Sequence, residues 1–510
     1  MATTFREVER KYDVTGVTVP ALTNVDGVAS ESPQAEEELD AVYYDTEDLR
    51  LIRGGITLRR RSGGDDAGWH LKLPAGADTR DEIRLPLGEP DAQVPEELAG
   101  LVRARTRGNA LRPVVHMHTV RRRRWLLDEG GERLAEVAAD LVRADLMNGS
   151  ESVTWEEVEV EISAGDTGLL DAVDARLRKA GARRAATGTK LERALADQLR
   201  AARAASPDAP NWLDKRLTPR SPAADVVLAY VARQVSAIAS FDPLVRRDEP
   251  DSVHQMRVAT RRARSALQAF RRFFEPEQPR RLGDELKWIA TVLGRARDAE
   301  VLLARFTGQL DAVAPDLVAG PIRGRITAHF TSELSQAREA ALGELDGKRY
   351  LALLDDLDAF LADPPLTPIA ERPAGKALAA PVKRTARRLG RALTHATSLI
   401  AREEQEEEQE KDTAIHEARK AAKRVRYAAE AAMPALRGDA KRLSKRTKKL
   451  QTLLGEHHDN VVARSVLREI AGEAHAAGED TFTYGVLYER HAREALEIER
   501  SLLKRGRKPI

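Results

Sequence analysis

Glu7-Val8-Glu9-Arg10-Lys11 is the stretch on which the first half of the chain turns. As a strand it alternates side chains between two faces, so Glu7, Glu9 and Lys11 share one side. Two carboxylates two residues apart suit a hard divalent cation, which takes oxygen ligands. The ammonium beside them suits a polyanion. The solvated face of an edge strand carries the same pattern, so the triplet is informative only in company.

Company comes from the strands that follow. Ile56 and Leu58 alternate with Thr57, Arg59 and Arg61, and Trp69, Leu71 and Leu73 with His70 and Lys72. Ile83 and Leu85 alternate with Glu82 and Arg84, and Val158, Val160 and Ile162 with Glu157, Glu159 and Glu161. The run from Glu132 to Val142 puts Glu136 and Asp140 on one face. A sheet with one wet face explains any single run. Together the charged faces hold Glu pairs in some strands and Arg/Lys pairs in others, which on an open sheet would contribute only ~0–1 kcal/mol per pair. Facing into a closed barrel they would line a tunnel, cationic on one wall and anionic on another, suited to a metal-bound polyphosphate. Helices are expected over 95–105 and 168–180, the second packing Leu169, Leu170, Val173 and Leu177 on the sheet. Thr187-Gly188-Thr189-Lys190 reads either as a phosphate grip or as the N-cap of a helix beginning near Leu191. Lone His70, His116 and His118 read as structural.

Composition narrows the class. At 510 residues the chain has room for several domains, each with its own core. Absence of cysteine excludes disulfides, thiolate metal sites and cysteine nucleophiles. No apolar run is expected to span a bilayer, and the start shows no signal-peptide core, so no membrane association and a cytoplasmic location are expected. The net charge of +2 hides an asymmetry: residues 1–200 carry an acidic excess and residues 201–510 a basic one. The second part should seek an anion.

In order along the chain, Glu7-x-Glu9-x-Lys11, Tyr43-Tyr44-Asp45-Thr46, Leu58-Arg59-Arg60-Arg61, Trp69-His70-Leu71-Lys72-Leu73-Pro74, Glu157-x-Glu159-x-Glu161 and Thr189-Lys190 resemble the signature of the CYTH, or triphosphate tunnel metalloenzyme, superfamily. The resemblance implies a closed antiparallel barrel binding triphosphate-bearing substrates with Mg²⁺ or Mn²⁺. It implies metal ligands at Glu7, Glu9, Glu157 and Glu159, with Glu161 and Asp140 as further candidates. It implies phosphate clamps at Lys11, Arg59, Arg61, Lys72, Arg84 and Lys190. Glu7, Glu9, Lys11 and Lys72 form the expected catalytic group. Arg121-Arg122-Arg123-Arg124 must present two arginines to each face. Its parity is ambiguous, and Arg121 and Arg123 are taken as the substrate-facing pair. The chemistry stands without the family: phosphoryl transfer needs positioning and charge neutralisation, which metals and Arg/Lys clamps supply, with water as nucleophile.

Residues 196–222 change composition, with proline-rich punctuation at 206–210 and 218–222. The expected division is a barrel domain over 1–200, a linker over 201–222 and an all-α domain over 223–505, α+β in sum. The helical part repeats itself. His254, Arg257, Arg261, Arg262 and Arg264 align with His416, Arg419, Lys423, Arg424 and Arg426, and Leu293-Gly294 through Asp298 aligns with Leu454-Gly455 through Asp459. His254, Arg257, Arg261 and Arg264 fall on one helical stripe, and His416, Arg419, Lys423 and Arg426 on another. Like charges at this spacing repel by a few tenths of a kcal/mol per pair, so a polyanion is expected there. Asp298 and Asp459 either cap helices or orient a basic partner. The run Lys441 to Lys449 extends the basic surface, and the acidic run from Glu403 to Asp412 is expected at a loop or helix end facing solvent.

This part resembles the CHAD (conserved histidine α-helical) domain, which implies two four-helix bundles around a basic groove for inorganic polyphosphate. Two functions follow as expectations. One is a metal-dependent triphosphatase acting on inorganic triphosphate or short polyphosphate, its helical domain holding longer chains, with association with polyphosphate granules. The alternative is a non-catalytic polyphosphate-binding or targeting protein. Nucleic-acid binding is a third reading. With 4% aromatic residues and only Tyr427 among the basic stripes, the sequence argues against base stacking, though not against backbone contact. The oligomeric state is left open.

Overall fold

The computed structural model describes residues 3–76, 78–89, 93–149, 152–163, 167–205, 216–402 and 408–505, the side chains of 202–205 excepted. They form two compact units, Met1–Pro207 and Asp208–Ile510.

The first unit is an eight-stranded antiparallel barrel. Its strands are β1 (Thr3–Asp13), β2 (Ala35–Asp45), β3 (Thr57–Ser62), β4 (Gly68–Pro74), β5 (Thr79–Leu85), β6 (Arg112–Leu127), β7 (Arg133–Leu146) and β8 (Val153–Ile162). Around the barrel they run β1–β5–β4–β3–β2–β6–β7–β8, and β8 closes onto β1. Closure removes free edges over the paired lengths and gives the sheet a distinct inside and outside. Apolar residues of one parity point outward and are covered by helices. Leu58, Trp69, Leu71 and Ile83 pack with Leu98, Leu101 and Val102 of α1 (Glu96–Thr106). Tyr12, Val137, Val158 and Val160 pack with Leu170, Val173 and Leu177 of α2 (Thr167–Lys179). The barrel therefore keeps its hydrophobic core on its outer surface and leaves the opposite parity, the charged one, for the lumen. A short helix, α3 (Lys190–Ala194), lies against the sheet through Leu191 and Ala194.

The second unit is helical throughout its described residues, apart from two isolated bridges. Its main helices are α4 (Ala223–Arg246), α5 (Ser252–Ala269), α6 (Glu277–Asp311), α7 (Ile322–Asp346), α8 (Lys348–Ala362), α9 (Ala379–Ile400), α10 (Glu408–Ala431), α11 (Met433–Ala476, interrupted at Arg437) and α12 (Phe482–Arg505). The repeat is visible in the backbone. Ala223 N donates to Arg372 O (3.0 Å) and Ala374 N to Ser221 O (2.9 Å). Likewise Ala224 N donates to Ala370 O (3.0 Å) and Gly375 N to Pro219 O (2.9 Å). These reciprocal bonds flank a Pro222–Pro373 bridge and place a pseudo-twofold axis through it. α4 and α9 leave this crossing as equivalent helices, as do α5 and α10 by their sequence alignment. The later part of α6 shares one core with α7, α12 and the later part of α11, through Phe306, Phe330, Leu467 and Leu487. Leu454 of α11 belongs to a different core, with α9, α10 and the end of α12.

One expectation needs correcting. α4 is long and apolar enough to cross a bilayer by length and composition, where the sequence reading expected no such run. The window is 61% buried within the structure, and its residues Val227, Val231 and Ile238 are core residues. Its hydrophobicity all round is that of a central bundle helix. Of the acidic run, residues 403–407 lie outside the described residues. Asp412 is not at a solvent-facing end: it sits 3.7 Å from the buried His457 and 3.7 Å from Arg464.

Phe330 is fully buried, its ring 5.8 Å from that of Phe306. Phe330→Ala should cost the helical unit about 3–5 kcal/mol. Hydrogen exchange should lose protection in α6, α7 and α12 while the barrel amides keep theirs.

Candidate functional site

The lumen of the barrel is a cavity of about 310 Å³ lined by equal numbers of acidic and basic side chains. Strand order sorts them by sign. Neighbouring β7, β8 and β1 contribute Glu136, Asp140, Glu157, Glu159, Glu161, Glu7 and Glu9. Facing them, β5, β4 and β3 contribute Arg80, Arg84, Lys72, Arg59 and Arg61, and β6 adds Arg121 and Arg123. Some strand residues break the sorting: Lys11 lies in the acidic arc, and Glu82 and Glu37 lie in the basic one.

Each sign is held by the other. Lys190 Nζ is 2.9 Å from Asp140 Oδ2, 2.9 Å from Glu157 Oε1 and 2.5 Å from Glu159 Oε1. Arg121 forks onto Asp140 at 2.8 and 2.7 Å and reaches Glu159 at 2.8 Å. Lys11 pairs with Glu159 and lies 3.2 Å from Glu9. Lys72 lies 2.6 Å from Glu7 and 3.5 Å from Glu82. Arg84 contacts Glu82 and lies 3.6 Å from Glu7. Arg61 pairs with Asp66, and Arg123 with Glu37 (2.6 Å) and Asp65 (3.0 Å).

Electrostatics follow from these distances. Burial pushes Lys190 down, but Glu157, Glu159 and Asp140 more than reverse this, holding it well above the usual lysine range. Burial pushes Glu159 up, and Lys11, Lys190 and Arg121 overcome it, holding it well below the usual carboxylate range. Burial pushes Glu9 up, but Lys11, Lys72 and Lys190 together overcome it and lower it. Glu161 differs. Burial, and then the charges of Glu7 and Glu9, push it up to about 7, because it makes no ion pair of its own among the described residues. Arg61 is depressed to about 9 by burial and then by Arg59 and Arg121. Glu161 is thus the carboxyl group of the acidic arc most readily kept protonated, while Arg61 keeps Asp66 as its partner.

A metal fits this arrangement on the acidic side. Asp140, Glu157 and Glu159 bring carboxylate oxygens within 4.8 Å of one another, an all-oxygen set of the kind hard divalent ions prefer. Glu7, Glu9 and Glu161 extend that set along the same arc.

Expected lumen residues Glu7, Glu9, Lys11, Arg59, Arg61, Lys72, Arg84, Arg121, Arg123, Glu159, Glu161 and Lys190 all line the cavity, and Asp140 and Glu157 lie behind Lys190. The ambiguous arginine run resolves with Arg121 and Arg123 inward; Arg122 pairs outside with Glu36 at 2.9 Å. Thr189 is a cap: its Oγ1 accepts from Glu192 N (2.9 Å), while Glu192 Oε2 accepts from Gly188 N, one residue before the cap (2.9 Å), and the pair fixes the start of α3 and so the position of Lys190. His70 is buried between Glu82 Oε1 and Asp66 O, both at 2.8 Å, and burial lowers it to about 4. It orients Glu82. Sequence reasoning put Glu82 on a charged face but gave it no role in the site, and it missed Arg80, Glu37, Asp66 and Tyr43. Arg80 shares the parity of Glu82 and Arg84, and Tyr43 and Glu37 share one face of β2, so strand parity alone could have found three of them. Tyr43 accepts from Arg59 NH1 at 3.3 Å.

In the helical unit α5 and α10 bring the two basic stripes face to face. Arg257, Arg261, Arg419 and Lys423 lie close enough to perturb one another. Arg257 is held by Asp298 (3.0 Å) and Arg419 by Asp459 (3.7 Å), so these aspartates orient arginines from mid-helix and cap nothing. His416 meets His458 at 3.2 Å, and His254 lies near Arg297 and Arg257. The last member of each stripe leaves the cluster. Arg426 pairs with Glu430 at 2.8 Å, and Arg264 lies near Arg424 and Asp284.

Residues 6–195 match the CYTH domain and residues 229–468 the CHAD domain. The chain belongs to the family of proteins that join an N-terminal CYTH domain to a C-terminal CHAD domain. Its relatives include the uncharacterized proteins MT2285 and Rv2226 from two strains of Mycobacterium tuberculosis, each 39% identical over 502 residues, or 95% of this chain and 93% of theirs. Similar solved structures include the CHAD domain from the plant Ricinus communis (28% identity, TM-score 0.45, 58% of this chain and 96% of that one). PptA from Streptomyces chartreusis is another (21% identity, TM-score 0.47, 56% of this chain and 99% of that one).

Lys423 offers a pH test. Burial, then Arg261, Arg419 and Arg257, lower its folded value from 10.5 to about 6. Between those two values the unfolded chain binds the extra proton, so stability rises with pH across that window. Chemical denaturation of wild type and Lys423→Met at pH 6 and pH 9 should show wild type gaining on the variant at the higher pH.

Proposed function

We propose that the barrel hydrolyses inorganic triphosphate or short polyphosphate with Mg²⁺ or Mn²⁺, and that the groove between α5 and α10 holds longer polyphosphate. The observation that carries this is the division of the closed lumen into an acidic arc and a basic arc. A metal–polyphosphate complex is itself divided in this way, cation on one side and phosphoryl oxygens on the other. Membership in a CYTH–CHAD family supports the same class of ligand.

Glu7, Glu9, Glu157 and Glu159, with Glu161 and Asp140, would hold the metal. Bound there, it would neutralise phosphoryl charge and lower the pKa of a coordinated water. Lys72, Arg59, Arg61 and Arg84 would grip the phosphate chain from the opposite wall, with Lys11, Arg121, Arg123 and Lys190 along its length. Held in line, the terminal phosphoryl group is attacked by water, a carboxylate of the acidic arc takes the proton, and the bond to the bridging oxygen breaks, so that orthophosphate forms and the shortened phosphate leaves with its charge neutralised by the clamps. The chain's own ion pairs must open for this: Lys72 and Lys190 exchange a carboxylate for a phosphoryl oxygen.

Binding without turnover draws on one observation. Lys190 Nζ sits among the oxygens of Asp140, Glu157 and Glu159, where a cation would otherwise be held. Turnover separates the two readings. Glu9→Gln should abolish metal-dependent phosphate release from triphosphate without altering the fold by circular dichroism. Unchanged release would remove Glu9 from the site, and its absence in wild type with either metal would leave the binding reading. Arg257→Glu with Arg419→Glu should weaken long-chain polyphosphate binding by about a hundredfold or more, as expected for reversing two half-buried charges in one anion site, while triphosphate hydrolysis stays at the wild-type rate.

A further inference from the structure

The helical unit contains a second cavity, of about 600 Å³, that the groove does not include. It lies where the C-terminal end of α5 meets the start of α6, the first half of α9 and the outer side of α10. Arg271, Arg272, Arg280, Arg384, Arg388 and Arg424 line it, with Asp284 as its sole acidic neighbour among the described residues. None of the six arginines forms an ion pair with a carboxylate among the described residues. Between them lies an aliphatic floor of Leu267, Pro279, Pro381 and Ala421, all buried.

The pseudo-twofold says what belongs there. The sequence repeat carries Ser265 onto Tyr427, Gln268 onto Glu430 and Arg424 onto Arg262. The reciprocal backbone crossing carries Pro381 onto Tyr230. At the equivalent place in the other half, Tyr230 Oη donates to Glu430 at 3.3 Å, and Arg262 lies 3.4 Å from Glu430 with its guanidinium over the Tyr427 ring. Arg426 lies 2.8 Å from the same carboxylate. That half is filled by two aromatic rings and neutralised by one acid. Here the rings are replaced by serine and proline and the acid by glutamine, leaving an open space, a flat apolar floor and uncompensated arginines. The missing groups are an anion and planar rings.

We propose that this cavity is a separate binding site for a nucleoside di- or triphosphate, whose phosphates replace the Glu430 carboxylate and whose base takes the place of the tyrosines. All six cations are arginine and none is lysine, and guanidinium groups both fork onto phosphate and stack on planar rings. An inorganic chain would gain nothing from the aliphatic floor.

The test is binding of a fluorescent N-methylanthraniloyl ADP to the full-length protein, with excess inorganic triphosphate present to fill the barrel and groove. Wild type should bind saturably under that competition. Ser265→Tyr with Gln268→Glu, which rebuilds the filled half, should weaken binding by about tenfold or more, as should Arg384→Glu with Arg388→Glu. Long-chain polyphosphate affinity should stay nearly unchanged in both. The arginine pair is on or near the surface and decides the matter should the tyrosine variant fail to fold. No saturable binding in wild type overturns the proposal, as does complete displacement by triphosphate, which would mark an inorganic phosphate site. Equal losses of nucleotide and polyphosphate binding would reduce the cavity to a general field effect and also overturn it.

Discussion

A charge inside a barrel must find its counter-charge within a few ångströms or forfeit several kcal/mol of hydration. This constraint governs the N-terminal unit. With the apolar parity spent on the outer helices, the inward parity has to be charged and balanced. Glu82 among the arginines and Lys11 among the glutamates are local compensation for arcs that would otherwise repel themselves. The same balance makes the lumen responsive: ion pairs this close can be opened only by a ligand that brings both signs at once. A bare anion would release lysines but strand the carboxylates, and a bare cation would do the reverse.

The helical unit solves a related problem differently. Arg257, Arg261, Arg419 and Lys423 are drawn together from two helices, with Asp298 and Asp459 orienting the arginines. Balance here is incomplete, and the depressed value of Lys423 records it. An under-neutralised cluster is poised for an anion in a way a balanced lumen is not, which suits holding a chain better than reacting with it.

Much of this was legible in the sequence because strands have a period of two. Once Glu7, Glu9 and Lys11 are placed inward, parity carries the assignment along each strand to Arg59 and Arg61, Lys72, Arg84 and Glu159. It was silent on Asp66, which reaches the lumen from a turn, and undecided on Arg121 to Arg124 until the register Arg121 to Asp140 fixed it. Helical spacing was less reliable. It grouped Arg264 and Arg426 with their stripes, but a stripe on a cylinder drifts, and each stripe's last member turned to a different neighbour. α4 was misjudged because apolarity around a whole helix marks a bundle centre as readily as a bilayer span. The second cavity was out of reach: it is defined by what one half of a repeat lacks, and that has meaning only once the halves are superposed in space.

The crossing at Pro222 and Pro373, with α11 shared between two cores, bears on ancestry. The core of Phe306, Phe330, Leu467 and Leu487 draws on both halves, so neither copy completes that interior by itself. An ancestral single copy would have had to pair with a twin, and any change would then have appeared on both sides together. Joining two copies in one polypeptide lifts that restriction, so one side can acquire tyrosines while the other gives them up. Fusion, on this view, is what permitted asymmetry, and the unlike pair of pockets is its visible result.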